Sequence, residues 1–252
     1  MIQAEQAERT ESSCRENAVI APILAAAIIV LWAVSLGLAF FYVDTGLLPN
    51  SPLAIFTMLW MQFLYCGLFI VTHDACHGTV CSKNVALNRI MGRVAAFLYA
   101  GFNFDKLLAK HQAHHRYVAT DKDPDYHDLS PGGERFLSWG WNFFKQYLSV
   151  GQVFVMMAVA QIFFHVLDIP ERNVIQFWIV PALLSALQLF FFGTWLPHRY
   201  SKDDIFTDEH QARNLKMPWI LSLVTCWHFG YHHTHHLKPY LPWYRLPRPR
   251  SR

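Results

Sequence analysis

The chain has 252 residues, 53% of them hydrophobic and 15% charged, with a formal net charge of +3. That composition is too apolar for an ordinary soluble domain and points to a membrane. So small a charge, with no basic run interleaved with aromatics, argues against nucleic acid as a partner. Five scattered cysteines without a CxxC exclude a disulfide framework and a zinc ribbon, and fit a reducing compartment.

Residues 1–17 form a polar lead that is not the positive n-region of a secretory signal, and the sequence predicts it to be disordered or interfacial. Residues 18–43 carry no charge; about 25 residues at ~1.5 Å each give roughly 38 Å of helix, enough to cross a ~30 Å hydrocarbon core with tilt. The segment DTGLLPNSP at 44–52 has the composition of a tight connection, and 53–72 reads as a second span that ends at His73. A polar stretch follows, within which 94–104 is apolar but too short to cross, and so predicts an interfacial or dipping segment. DKDPDYHD at 121–128 and Pro131-Gly132-Gly133 read as a loop and a turn. A third span is predicted at 147–167 and a fourth at 174–197, joined by DIPERN. The tail at 240–252, rich in Pro, Trp, Tyr and Arg, suits the headgroup region. No internal repeat or low-complexity tract is present.

Three histidine clusters dominate what is left. His73 and His77 stand in HDACH, His111, His114 and His115 in HQAHH, and His232, His235 and His236 in HHTHH. On a helix the last three fall at i, i+3 and i+4 and share a face, which is a way to hold metal. With His198 these make nine candidate ligands, too many for one tetrahedral zinc, so two metals are implied. Adjacent pairs such as His114-His115 point about 100° apart on a helix, so that each pair could straddle two centres. No HExxH occurs, which removes the usual zinc-protease signature. His228, four residues before His232, stays open as ligand or outer-shell group. His127, His165, His210 and His233 read as structural or interfacial. Asp74, Asp123 and Asp125 adjoin the clusters and are candidates to orient ligating imidazoles.

Four crossings in two hairpins would bring all three clusters and both termini to one side. Only Arg172 lies in the connections on the other side, so the positive-inside rule makes the histidine side cytoplasmic. The expected fold is therefore an all-α integral membrane protein with four transmembrane helices, interfacial helices and a cytosolic-side di-metal site in a single domain.

The motifs HDACHGTV, HQAHHRY followed by DPDYH, FFGTWLPHR and TCWHFGYHHTHHLKPYLPWYRLP resemble the membrane fatty-acid desaturase and hydroxylase superfamily, and within it the bacterial-type β-carotene ketolases. The resemblance runs from about Leu64 to Pro247. It implies two Fe(2+) held by the three boxes together with His198, and O2 as co-substrate. It also implies oxidation of ring carbon 4 of β-carotene to a ketone by two hydroxylations and loss of water. No flavin or haem is expected. The chain has no GxGxxG and no cysteine set for an iron–sulfur cluster, so the electrons would come from a ferredoxin or similar reductant steered to a basic face. A carotenoid 3-hydroxylase or a fatty-acyl desaturase would share the same site. A histidine-rich metal transporter would instead place ligands along the spans near the midplane, which are nearly free of them.

Overall fold

A computed structural model describes residues 2–43, 52–125, 135–201, 206 and 208–247, with side chains from residue 18 onward. The described residues are helical with no strand. The expected connection at 44–52, apart from Pro52, lies outside them. So do His127, the Pro131-Gly132-Gly133 turn and the last residues of the tail.

Helix α1 spans Ile2–Tyr42. The polar lead is thus continuous with the first apolar helix rather than disordered, which the Gln, Ala and Glu of residues 3–8 favour by propensity. Its buried stripe, Ala21, Ala25, Ile28, Trp32, Leu36 and Ala39, recurs every three or four residues, while Val30, Val34, Leu38 and Phe41 face outward. Helix α2, Pro52–Cys76, is the axis of the fold. It packs against α1 and against the helices at Val85–Ala100 and Glu171–His198, and its second half is buried almost all round from Met61 to Cys76.

Helix α3, Val85–Ala100, is capped by Asn84, whose side chain accepts from the Leu87 N–H at 3.0 Å. It ends at Gly101, whose φ of 67° is the left-handed conformation of a helix stop. The segment expected at 94–104 is therefore the second half of α3 plus this turn. Helix α4, Phe104–Tyr117, starts at Asn103 in the same manner.

Helices α5, Phe136–Tyr147, and α6, Val150–His165, meet at a bend of 79°. The expected third span at 147–167 is thus a shorter helix set off from its predecessor. Helix α7, Glu171–His198, is continuous but carries two π turns, Ile175–Ile179 and Phe190–Trp195. Helix α8, Trp219–Cys226, and helix α9, His232–Leu237, follow, then a 3-10 turn at Trp243–Arg245.

Among the described residues, α1 from Ala18, α2 and α7 are each long and apolar enough to cross a membrane, and α5 with α6 makes a fourth if the bent pair is one span. Polar side chains inside this apolar bundle find partners on neighbouring helices. Gln62 donates to Gln188 Oε1 at 2.7 Å, Trp60 to Ser35 Oγ at 3.0 Å, and Asn173 to Phe40 O at 3.0 Å. Such bonds between membrane helices average about 0.6 kcal/mol each, so their effect here is to fix register more than to hold the bundle together.

Candidate metal centre

Four pieces of backbone deliver nine histidines to one end of the bundle. His73 sits in the last turn of α2, and the chain then folds back, with His77 N–H bonded to Asp74 O at 3.1 Å and Gly78 N–H to Ala75 O at 3.1 Å. This return brings the His77 ring to 5.2 Å from that of His73. Helix α4 supplies His111, His114 and His115, α7 ends at His198, and α9 presents His232, His235 and His236.

The rings divide into two sets. In one, the ligand nitrogens of His73, His77, His111 and His235 lie within 4.8 Å of one another; in the other, those of His114, His198, His232 and His236 do. His115 joins the first, its Nε2 2.9 Å from His235 Nε2, while its ring stacks on His236 of the second at 4.3 Å. The helix step separates each adjacent pair, so His114 and His115 serve different sets, as do His235 and His236.

The donor chemistry fits cations. Nε2 faces Nε2 at 2.6 Å between His77 and His111, 3.1 Å between His73 and His235, 3.2 Å between His114 and His236, and 3.0 Å between His232 and His236. Two imidazole nitrogens each about 2.1 Å from one ion and at right angles would be about 3.0 Å apart. His198 donates from Nδ1 to Gln211 O at 2.7 Å, and its Nε2 is buried with no hydrogen-bond partner. That is the disposition of a ligand whose outer nitrogen fixes its tautomer.

The two sets form the inner end of a cavity of about 180 Å³. His73 and His111 of the first set and His114 and His232 of the second border it, and its walls are mostly apolar, with the aromatic rings of Phe69, Tyr99, Phe102, Phe143 and Phe229 among them. Phe229 spans the sets, edge-on to His73 at 4.7 Å and to His232 at 5.0 Å.

The Fatty acid desaturase family matches residues 49–173 and 148–251. The chain is 41% identical to the Beta-carotene ketolase of Paracoccus sp. (strain PC1), over 90% of this chain and 91% of that protein. It is 38% identical to the Beta-carotene ketolase of Paracoccus sp. (strain N81106 / MBIC 01143), over 91% of this chain and 92% of that one. The chain belongs to the fatty acid desaturase family, in its β-carotene ketolase branch. It is also 35% identical to the Zeaxanthin 4-ketolase of Chlamydomonas reinhardtii, over 88% of this chain and 49% of that protein. No solved structure matches it.

Carboxylates back the histidines of this desaturase-family site. Both oxygens of Asp123 accept from His114 Nδ1, at 3.0 and 3.1 Å, and the same oxygens accept from the Ala119 and Asp125 N–H groups at 2.9 Å. Asp125 Oδ2 lies 3.7 Å from His114 Nδ1, and its Oδ1 accepts from the Tyr147 hydroxyl at 2.5 Å. Asp74 reaches His73 Nδ1 at 3.4 Å and accepts from the Trp243 N–H at 3.0 Å, which ties the last described turn to the first histidine box.

Burial is the main force on the imidazoles. It holds His111, His232, His235 and His236 well below the ordinary histidine range, with neighbouring histidines adding to the effect. It pushes His77 down to about 4, and burial with His77 pushes His115 down to about 2. These rings are neutral at pH 7, the form that binds metal. For His114 burial acts downward too, but Asp125 and Asp123 outweigh it and the pKa ends above its ordinary value.

The structure does not bring His228 into either set. Its φ is 64°, its Nδ1 lies 3.1 Å from Ser222 Oγ, and its ring stands between Trp219 and Trp243. His233 pairs with Asp208 at 2.6 Å and His165 with Gln161 at 3.0 Å, while the His210 ring is 5.8 Å from that of His236. Sequence reasoning missed three residues that support the site. Gln211 acts through a backbone oxygen, which no side-chain motif announces. Asn214 receives the Thr234 N–H at 3.0 Å and donates to its hydroxyl at 2.8 Å, holding α9 in place. Tyr147 stands at the start of the span that hydropathy predicts at 147–167.

Proposed function

We propose that the chain is a β-carotene ketolase, a non-haem di-iron oxidoreductase that converts the C4 and C4' methylenes of the β-ionone rings to ketones. The observation that carries this reading is that one ring-sized, apolar-walled cavity ends on both histidine sets at once. The two Paracoccus relatives are named for the same activity.

In this reading His73, His77, His111, His115 and His235 hold one iron, and His114, His198, His232 and His236 the other. Bound iron supplies the activation of O2 needed to attack an allylic C–H that no acid or base could ionise. The protein's own part is placement and exclusion. The apolar wall keeps water out and holds the ring with its C4 methylene toward the histidines. Asp123 keeps a proton on His114 Nδ1 and so turns Nε2 inward; the carbonyl of Gln211 does the same for His198. Each hydroxylation consumes one O2, two electrons and two protons and releases one water. A second one at the same carbon gives a geminal diol, which loses water to become the ketone.

The electrons come from a ferredoxin or similar reductant on the histidine side, where the basic residues gather. Helices α1, α2, the bent α5–α6 pair and α7 make four crossings of a single domain, with that side and both termini cytoplasmic by charge bias.

Expression in a host that accumulates β-carotene, followed by pigment chromatography, tests the reading. Echinenone and canthaxanthin are the expected products. Zeaxanthin alone would replace the ketolase by a 3-hydroxylase, and unchanged β-carotene in cells making folded, iron-loaded protein would overturn the carotenoid assignment. Metal analysis of the purified protein should return about two irons per chain, and zinc in their place would remove the oxygenase mechanism.

A further inference from the structure

The cavity that ends on the histidines has another end. Nearly every residue bordering it is buried or half-buried; the two exposed ones are Leu148, at 56%, and Leu183, at 61%. Leu148 occupies the bend between α5 and α6, and Leu183 stands on α7. These two leucines mark where the cavity meets the outside.

The surface around them is apolar. On α7, Leu183 belongs to a stripe of exposed residues, Ile175, Ile179, Leu183 and Leu187, spaced at four-residue steps along one face. Across the bend, Val150, Val153, Phe154 and Met157 of α6 are exposed as well. About 22 Å of helix separates Leu183 from His198 at the histidine end, at ~1.5 Å per residue, so the mouth lies well down the span. An opening with this rim and at this depth faces hydrocarbon.

Size sets what can enter. A cavity of about 150 Å³ is known to hold one benzene, and pockets that enclose a whole drug-sized ligand run from about 300 Å³ upward. At about 180 Å³ this one takes a single end ring and excludes the rest of a long polyene.

We propose that the substrate enters end-on from within the bilayer, through a lateral mouth between the α5–α6 bend and α7 gated by Leu148 and Leu183, one ring reaching the histidines while the remaining chain stays in lipid. This rests on the ketolase reading for the identity of the substrate, but not for the existence and facing of the mouth. The bend of 79° has a role on this view: it turns α5 over the histidine end and opens the flank that a straight helix would close against α7.

Two measurements test it separately. A nitroxide at Leu183→Cys, in a Cys14→Ser background where the other four cysteines are buried, reports collisions in liposomes with lipid-soluble O2 and with a water-soluble nickel chelate. Predominant O2 access is expected; predominant chelate access overturns the lateral mouth whether or not the chain is a ketolase. The second measurement uses nanodiscs carrying β-carotene and compares wild type, Leu148→Trp, Leu183→Trp and Leu187→Trp for ketone formation and iron content. Each plug should slow ketone formation about tenfold or more at unchanged iron, because the ring no longer reaches its reacting position. Leu187→Trp, on the same lipid-facing stripe but outside the cavity, should stay within about twofold by the same argument. Equal slowing by all three, or by neither plug, overturns the gate. If the iron-loaded wild type forms no ketone, the ketolase reading fails, and the collision measurement still decides the mouth.

Discussion

Gly193 is where a single methyl group should do most damage for its size. A Cβ there would lie 2.3 Å from both Cδ1 and Cε1 of Phe229, against 3.4 Å for ordinary contact. In Gly193→Ala the Phe229 ring must therefore withdraw by about 1 Å, and it has few places to go. Toward the helices it meets the rings of His73 and His232, one from each set; otherwise it moves into the cavity it borders. Overpacking of this kind costs about 1–3 kcal/mol, or roughly 3–9 °C in Tm at about 3 °C per kcal/mol for a chain this long. A shift of about 1 Å at the reacting geometry costs on the order of a hundredfold in rate. The assay is ketone formation in β-carotene nanodiscs, with iron content and thermal unfolding measured on the same preparations. The double variant Gly193→Ala/Phe229→Leu removes the clashing ring edge and should recover most of the lost Tm. If Gly193→Ala keeps its Tm and a rate within about twofold of wild type, Phe229 does not couple the two sets and the argument from packing is wrong.

Asp123→Asn should weaken metal retention about tenfold to a hundredfold, because three N–H groups converge on the carboxylate and an amide can answer only part of them; a chelator titration followed by iron analysis reads this, and unchanged retention would remove Asp123 from the support of His114. His228→Asn should keep wild-type iron, since asparagine tolerates a positive φ and His228 belongs to neither set; loss of iron would make His228 a ligand. For the chelator-stripped protein the pH dependence follows from His77, whose folded pKa is depressed to about 4 by burial. The unfolded chain takes up that proton first, near pH ~6.5, so stability is complete above that value and is lost as pH falls toward about 4. Melting curves between those limits should shift to lower temperature with acid, and a Tm that does not move would contradict burial as the cause.

The histidine spacing was legible because the helix repeat is fixed. A step of about 100° predicts that His114 and His115 face different ways; His114 lies in the second set, and His115 Nε2 comes within 2.9 Å of His235 of the first. Which box lends which histidine to which set was not legible, since His235 meets His73 and His236 meets His114 only once α9 is packed between α2 and α4. The bend before α6 left a faint signal that the apolar run hid. Ser149 accepts from the Gln152 N–H at 3.2 Å, and Ser-x-x-Gln is a helix start. Hydropathy alone merged Tyr147 and Leu148 into the span. The break between α8 and α9 had less to announce it. Trp227 and His228 both take a positive φ, at 47° and 64°; histidine tolerates that conformation, but a bulky tryptophan rarely adopts it. The Trp227 indole donating to Phe63 O at 2.8 Å and Ser222 beside His228 fix that turn, and both contacts come from the packed fold.

Each histidine set mixes early and late parts of the chain. His73, His77 and His111 wait for His235, and His114 waits for His198, His232 and His236. During synthesis the first two boxes emerge before either set is whole, and neither set closes until α9 has been made and docked. On the proposed di-iron reading, metal loading would follow the docking of α9. If the sets hold the proposed irons, filling both reports a finished topology, because α4 and α9 serve both sets while the end of α2 completes only the first and α7 only the second.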